Sequence, residues 1–201
     1  MQYLLGRVAT MTNENSTRYT YSFPNLDSDV RISELVLYIA EKCLDDPRFG
    51  AVKLNKILYF ADVMSYRLYG EPITGGQYMK LSKGPVLKRM KLILQSLVDR
   101  NRAVIVKRKV HDFEENRIVA TSEPNLDIFR ARDIALLDEI IRMNWGKTAN
   151  EVSEASHGIA WEVAQDQQLI PYEAMLLSDQ NVTEDDIARA QELIRQHGWN
   201  V

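Results

Sequence analysis

Apolar residues return every three or four positions along much of the chain, a spacing typical of amphipathic helices. The first such stretch carries Ile32, Leu35, Val36 and Ile39 and predicts a helix over 29–44. A second stretch, 53–69, is apolar over a wider arc, so we expect a central helix that packs on two sides and ends at Gly70. A third helix is expected to begin at Pro85, and further helices at about 131–144, 148–157, 160–168 and 184–197.

Other stretches alternate apolar and polar residues, which is typical of strands. Tyr19, Tyr21 and Phe23 predict a short strand that Pro24 ends, and "QYMKLS" predicts another before Gly84. The segments "RAVIVKRKV" and "NRIVAT" are separated by "HDFEE" and predict a β-hairpin. We therefore expect a mostly helical α+β fold with a central apolar helix and a small antiparallel sheet. An N-terminal arm over 1–25 is expected to precede a single domain over 26–201.

Composition limits the classes of protein to consider. A chain of 201 residues with 45% hydrophobic content can bury one substantial core. Cys43 is the single cysteine, which excludes an internal disulfide framework and fits a reducing compartment. The three histidines do not have the spacing of a zinc site, and we expect no cofactor or metal.

The N-terminal sequence shows neither a secretory leader nor a membrane span, because its apolar run is short and soon becomes polar. A soluble, cytoplasmic protein is the expectation. Translation could begin at Met1 or at Met11, and the sequence leaves both open.

Residue patterns of common active sites are missing. Gly84 stands alone beside a proline that lacks an N–H, so this stretch is not a phosphate-binding loop. Ser156 and His157 are adjacent, and adjacent helical residues do not face each other. Cys43 lies on a predicted amphipathic helix with no neighbouring histidine and is expected to be a buried structural thiol. We expect no enzyme activity.

Positive charge is concentrated between positions 80 and 110. Ten basic residues in this stretch stand against Asp99 alone, although the whole chain has a net charge of −3. A helix followed by a basic hairpin resembles the outline of a winged helix. A DNA-binding regulator is therefore the alternative hypothesis, with contacts from Lys88, Arg89, Lys107, Arg108 and Lys109. A basic face can equally attract an acidic protein partner.

His157 and Trp161 would lie on one stripe if their helix were continuous, although Gly158 is expected to bend or end it. Two interpretations stay open. The pair could be a buried tryptophan with a hydrogen-bonded histidine, or an aromatic pocket that faces a partner, since tryptophan and tyrosine are favoured at interfaces.

Three motifs occur in a recognisable order. "KLNKILYFAD", "GPV" and "TANEVSEASHGIAW", with "GEPI" after the first, resemble the Panacea domain family of SocA-like antitoxins from bacterial and phage toxin–antitoxin modules. The resemblance covers about 30–170. The matching residues are Lys53, Leu54, Lys56, Tyr59, Ala61, Gly84, Pro85, Val86, Ser156, His157 and Trp161. The family often has an aromatic residue before the glycine, where this chain has Lys83.

The resemblance implies that the protein neutralises a toxin encoded beside it by binding that toxin directly. It carries over no catalytic residues. The candidate partner-binding residues are Tyr59, Tyr66, Tyr78, His157 and Trp161. A homo-oligomer is left open.

Overall fold

The computed structural model describes residues 19–110, 113–177 and 195. The first 18 residues of the predicted arm and nearly all of the predicted helix over 184–197 lie outside this set. Among the described residues, no helix is both long and apolar enough to cross a membrane.

The described chain forms a mostly helical α+β fold, as predicted. Its helices are α1 Ser28–Lys42, α2 Ala51–Tyr69, α3 Met90–Asp99, α4 Ala131–Asn144, α5 Ala149–Glu154, α6 Ile159–Val163 and α7 Tyr172–Met175. Its strands are β1 Tyr78–Leu81, β2 Gly84–Leu87, β3 Ala103–Val110, β4 Phe113–Ala120 and β5 Leu169–Ile170.

Helix α2 is the centre of the fold. It packs against α1, α4, α5 and β2, and residues on several of its faces, among them Leu54, Ile57 and Leu58, are buried. Each such side chain contributes about 1.5–3 kcal/mol by leaving water. The helix ends at Gly70, whose φ of 73° is the left-handed cap that glycine tolerates. The prediction of a central helix packed on two sides is confirmed.

Two small antiparallel sheets flank the helices. In the first, β1 lies between β2 and β5. In the second, β3 pairs with β4 along its whole length, which confirms the predicted pairing, although β4 begins at Phe113, within the segment "HDFEE" that was expected to separate the strands. Strand β4 packs against α1 and α2, and β3 packs against α3.

The prediction of a strand over 19–23 is wrong. This segment does not pair with a strand, because its backbone makes single hydrogen bonds to two different parts of the chain. The Phe23 amide donates to the Gly75 carbonyl at 3.1 Å, and the Tyr172 amide donates to the Thr20 carbonyl at 2.8 Å. The segment therefore joins two parts of the fold without extending a sheet.

The prediction that Pro85 begins a helix is also wrong. Gly84 has a φ of 93° and starts β2, in which Pro85 lies opposite Lys80 of β1. A proline is tolerated there because β2 is an edge strand and needs no amide on its outer side. Helix α3 begins only at Met90, after the strand.

Helix α4 has the predicted bounds, whereas α5 and α6 are shorter than the helices predicted over 148–157 and 160–168. Helix α5 begins with a capping box, in which the Glu151 amide donates to Thr148 Oγ1 at 3.2 Å and the Thr148 amide donates to Glu151 Oε2 at 2.7 Å. Helix α5 ends at Glu154 and α6 begins at Ile159, with Gly158 between them, so the expected break at this glycine is present.

Candidate partner-binding site

The three motif segments meet around Gly84. Lys56 comes from α2, Gly84 from the start of β2, and Ser156 from the turn after α5. A β-carbon on Gly84 would lie 2.6 Å from Lys56 Nζ and closer still to Ser156 Oγ. Because real β-carbons do not approach other atoms this closely, any other residue at this position would force the side chain of Lys56 or Ser156 to move.

Lys56 ties the first motif to the second. Its side chain is 1% exposed, and its Nζ donates a hydrogen bond to the Pro85 carbonyl at 2.7 Å. No carboxylate among the described residues lies within ion-pair distance of this amine. Burial therefore lowers the pKa of Lys56 to about 7. The hydrogen bond fixes β2 against α2.

Lys53, one turn earlier in α2, has a different environment. Its Nζ is 2.7 Å from Asp46 Oδ2, and both side chains are buried. Removing one partner of a buried ion pair is strongly destabilising, because the other charge is left without compensation. Lys53 therefore holds the loop between α1 and α2 onto the core.

Helix α5 fixes the turn between β1 and β2. The Ser153 hydroxyl donates to the Lys83 carbonyl at 2.6 Å, and the Ser156 hydroxyl donates to the Ser153 carbonyl at 2.6 Å. The side chain of Lys83 is exposed, while its backbone is held. The turn of this hairpin is thus rigidly placed by side chains from the third motif.

Trp161 fixes the same hairpin from α6. Its indole N–H donates to the Leu81 carbonyl at 2.9 Å, and the His157 ring stacks on it at 3.7 Å with an angle of 6°. Lys80 Nζ lies 4.5 Å from the tryptophan ring centroid and donates to the Glu162 and Ala164 carbonyls. These contacts agree with a structural role for Trp161.

His157 has one unused group. Its Nε2 is buried and has no hydrogen-bond partner among the described residues. Burial, and secondarily the charge of Lys56, lower the pKa of His157, so the neutral imidazole is favoured in the stack.

A mainly apolar cavity of about 230 Å³ opens beside the hairpin turn. Leu81, which binds the Trp161 indole through its carbonyl, also lines this cavity. The lining comes from the first turns of α2 and from the hairpin, and consists of Ala51, Val52, Asn55, Lys56, Leu81, Ser82, Lys83 and Val86. A rigid hollow of this size can receive an apolar side chain of a partner.

A family model described as "Antitoxin SocA-like, Panacea domain" matches residues 54–162, which is more than half of the chain. The chain belongs to this family. The matched segment contains Lys56, Gly84, Ser156 and Trp161, and so includes the side chains that meet around Gly84. No curated protein and no solved structure matches the chain.

The Panacea domain also encloses a polar network that the sequence analysis missed. Asp62 of α2 is fully buried and accepts hydrogen bonds from the Thr74 amide at 2.7 Å, from the Thr74 hydroxyl and from the Tyr78 hydroxyl at 2.8 Å. Burial raises the pKa of Asp62 to about 6, against the effect of these hydrogen bonds. In the sequence, the single acid Asp62 within the apolar stretch "ILYFADVM" could have indicated this network.

This network explains why two candidate partner-binding residues of the Panacea domain cannot meet a partner. Tyr78 is fully buried and donates to Asp62, and Tyr59 is 7% exposed and packs edge-on against Tyr78. Both belong to the core, so their assignment to a surface is corrected. The sequence could not identify Tyr59 as a core residue, because the apolar arc of α2 is too wide to show its outer face, and the burial of Tyr78 on β1 depends on its pairing with Asp62 of another element.

The other three candidates are partly exposed. Tyr66 donates to Glu173 Oε1 at 3.3 Å and packs edge-on against Phe23. His157 and Trp161 form the stack described above. These three residues remain proposals for contact with a partner.

The basic stretch of this Panacea domain gives no support to the DNA-binding hypothesis. Lys88 and Arg89 precede α3 instead of lying within it, and Arg89 binds Asp29 at 2.6 Å. The hairpin register places Glu115 opposite Arg108 and Glu114 opposite Lys109, while Lys107 lies opposite Asn116. Arg108 also donates to the Pro47 carbonyl at 3.0 Å. No observation favours the winged-helix hypothesis.

Proposed function

We propose that this Panacea protein neutralises a cognate toxin by direct protein–protein binding. Family membership carries the proposal, because the matching family is that of SocA-like antitoxins. The rigid hairpin and the apolar cavity beside it support binding through a preformed surface. A preformed site is favourable because little ordering entropy is lost when the partner docks.

The cavity is the centre of the proposed contact surface. Its apolar lining would receive an anchoring side chain of the toxin, and the exposed ammonium of Lys83 stands at its rim. Trp161 and His157 act in this proposal mainly by holding the hairpin that forms one wall. Interface energy is concentrated in a few such desolvated anchors.

The proposal is tested by co-expression. Each reading frame that flanks the gene is expressed alone and together with this chain, and growth is followed. We expect one neighbour to arrest growth alone and to be harmless with this chain. A set of neighbours that is harmless throughout, or an arrest that the chain does not relieve, would contradict the proposal.

A pair of matched variants tests the proposed surface. Val52→Glu places a negative charge in the cavity lining. We expect this variant to stay folded, because an acid in the first turn of α2, which contains none, interacts favourably with the helix dipole. Val30→Glu makes the same change in the first turns of α1, where Val30 is exposed. We expect Val52→Glu to abolish rescue and Val30→Glu to retain it. Equal rescue by both variants would remove the cavity from the interface.

A further inference from the structure

The imidazole of His157 occupies a place that suits only its neutral form. The ring stacks flat on Trp161, and its Nε2 is buried with no hydrogen-bond partner among the described residues. Nδ1 is not among the buried atoms without a partner, so the neutral ring can carry its proton there. A second proton would go to Nε2 and create a buried N–H that has no acceptor.

The charges around the ring come from four elements. Two are ammonium groups and two are carboxylates, and they belong to Lys56 of α2, Lys80 of β1, Glu154 of α5 and Glu162 of α6. Both carboxylates are on exposed residues, where water and salt screen their attraction for a charged ring. Lys56 is buried and carries its charge below about pH 7, so it repels a second cation nearby.

One interaction opposes this preference for the neutral ring. A cation stacked on an indole face is attracted by the ring, which favours the imidazolium by about two- to fivefold. Leaving the new Nε2–H without an acceptor disfavours it by about five- to 150-fold. The Trp161 ring also already has the ammonium of Lys80 at 4.5 Å from its centroid. The unpartnered N–H therefore outweighs the attraction, and protonation works against the stack.

The stack is connected to the cavity beside the hairpin turn. The Trp161 indole N–H donates to the Leu81 carbonyl at 2.9 Å, and Leu81 lines the cavity. His157 follows Ser156 directly, and Ser156 packs against Gly84 at the start of β2. A change in the position of the imidazole therefore reaches the hairpin from two directions.

We propose that His157 is a positioning residue for the partner surface and acts only as a neutral ring. Uptake of a proton opens the stack on Trp161, frees the Leu81 carbonyl and loosens one wall of the cavity. Binding of the toxin is then strong at neutral pH and weaker in acid. This last step rests on the proposed function, whereas the loosening of the hairpin is a property of the chain alone.

An NMR titration of the full-length chain without toxin tests the first step. The signals of His157 and Trp161 are assigned by their loss in His157→Phe and Trp161→Phe, since the chain has three histidines and three tryptophans. We expect His157 to titrate below the ordinary histidine pKa of about 6.5. The Trp161 indole N–H signal should move with the same midpoint. In His157→Phe this indole signal should not move, because phenylalanine keeps a stacked ring that cannot take up a proton.

Calorimetric titration with the toxin, identified by growth arrest, tests the second step. The dissociation constant of the wild type should rise at least about fivefold between about pH 7.5 and about pH 5. His157→Phe is the matched control, because Nε2 makes no hydrogen bond that the variant would lose. It should bind like the wild type at neutral pH and change less than about twofold in acid. His157→Ala, which lacks a ring, should bind weakly at both pH values.

Several results would overturn the proposal. One is a His157 that titrates at or above the ordinary histidine pKa, or a Trp161 indole signal that does not follow its titration. Another is a His157→Phe variant that weakens in acid as much as the wild type, which would assign the pH dependence to another group. A third is a His157→Ala variant that binds like the wild type. If no toxin binds at either pH, the proposed function fails, and the Trp161 signal still decides whether protonation loosens the hairpin.

Discussion

Replacing Gly84 by alanine tests the packing of the three motif segments. Gly84 has a φ of 93°, in a region that costs a residue with a β-carbon about 1–3 kcal/mol. The added methyl group would also lie 2.6 Å from Lys56 Nζ and closer to Ser156 Oγ. Overpacking of this kind costs about 1–3 kcal/mol, so the combined loss is about 2–6 kcal/mol. A domain whose stability lies in the upper part of the usual range of about 5–15 kcal/mol remains folded and measurable after this loss.

Gly70 and Gly146 provide the matched controls. They have φ values of 73° and 71°, and a β-carbon there would meet no atom within 4 Å. Their alanine variants therefore lose the backbone contribution alone. Urea unfolding of the three variants should place Gly84→Ala about 1–3 kcal/mol below the two controls.

A double variant identifies the side chain responsible. Ser156→Ala removes the hydroxyl nearest to the added methyl group, so the loss for Gly84→Ala should be smaller in the Ser156→Ala background by about 1 kcal/mol. If Gly84→Ala were no less stable than Gly70→Ala, the close packing of the three motifs at this point would be refuted.

Three further predictions concern buried polar groups and are measured by urea unfolding. The pKa of Lys56 is lowered to about 7 in the folded protein, so above this pH the unfolded state binds more protons than the folded state. The unfolding free energy of the wild type should therefore rise between pH 7 and pH 10 relative to that of Lys56→Met. Parallel pH profiles of the two proteins would contradict this. Asp62→Asn should lower the unfolding free energy by about 2–4 kcal/mol, because the new amide N–H₂ would face the hydroxyl and amide donors of the network. Tyr78→Phe, which removes one hydrogen bond, should lower it by about 1 kcal/mol. Equal losses for the two variants would contradict the network. Arg117 donates hydrogen bonds to the carbonyls of Cys43, Leu44 and Asp46. Arg117→Lys should therefore lower the unfolding free energy by about 2 kcal/mol. An unchanged unfolding free energy would show that one ammonium group can replace the guanidinium.

Local sequence pattern was sufficient for elements that form through short-range contacts. Helix α2 carries its periodicity and its glycine cap within one segment, and β3 and β4 are only two residues apart in the sequence. Strand β2 was missed because its identity depends on pairing with β1 and on the space between Lys56 and Ser156, which no local pattern records. Pro85 fits a first helical turn and an edge strand equally well.

The candidate site was predictable in part. The order of the motifs indicated the family, and Lys56, Gly84, Ser156 and Trp161 are brought together in the structure. The direction of individual aromatic side chains was not predictable, because a helix that is apolar all round gives no sign of its outer face. Tyr78 is buried because Asp62 accepts its hydrogen bond, and that pairing joins residues of different elements.

The central claim is that this Panacea protein acts by binding its toxin directly. The most direct measurement is calorimetric titration of the purified toxin, identified by growth arrest, into the purified chain. The account predicts saturable binding with a defined stoichiometry that Val52→Glu abolishes and Val30→Glu retains. Rescue of growth by a chain that shows no heat of binding and no complex on size-exclusion chromatography would contradict it.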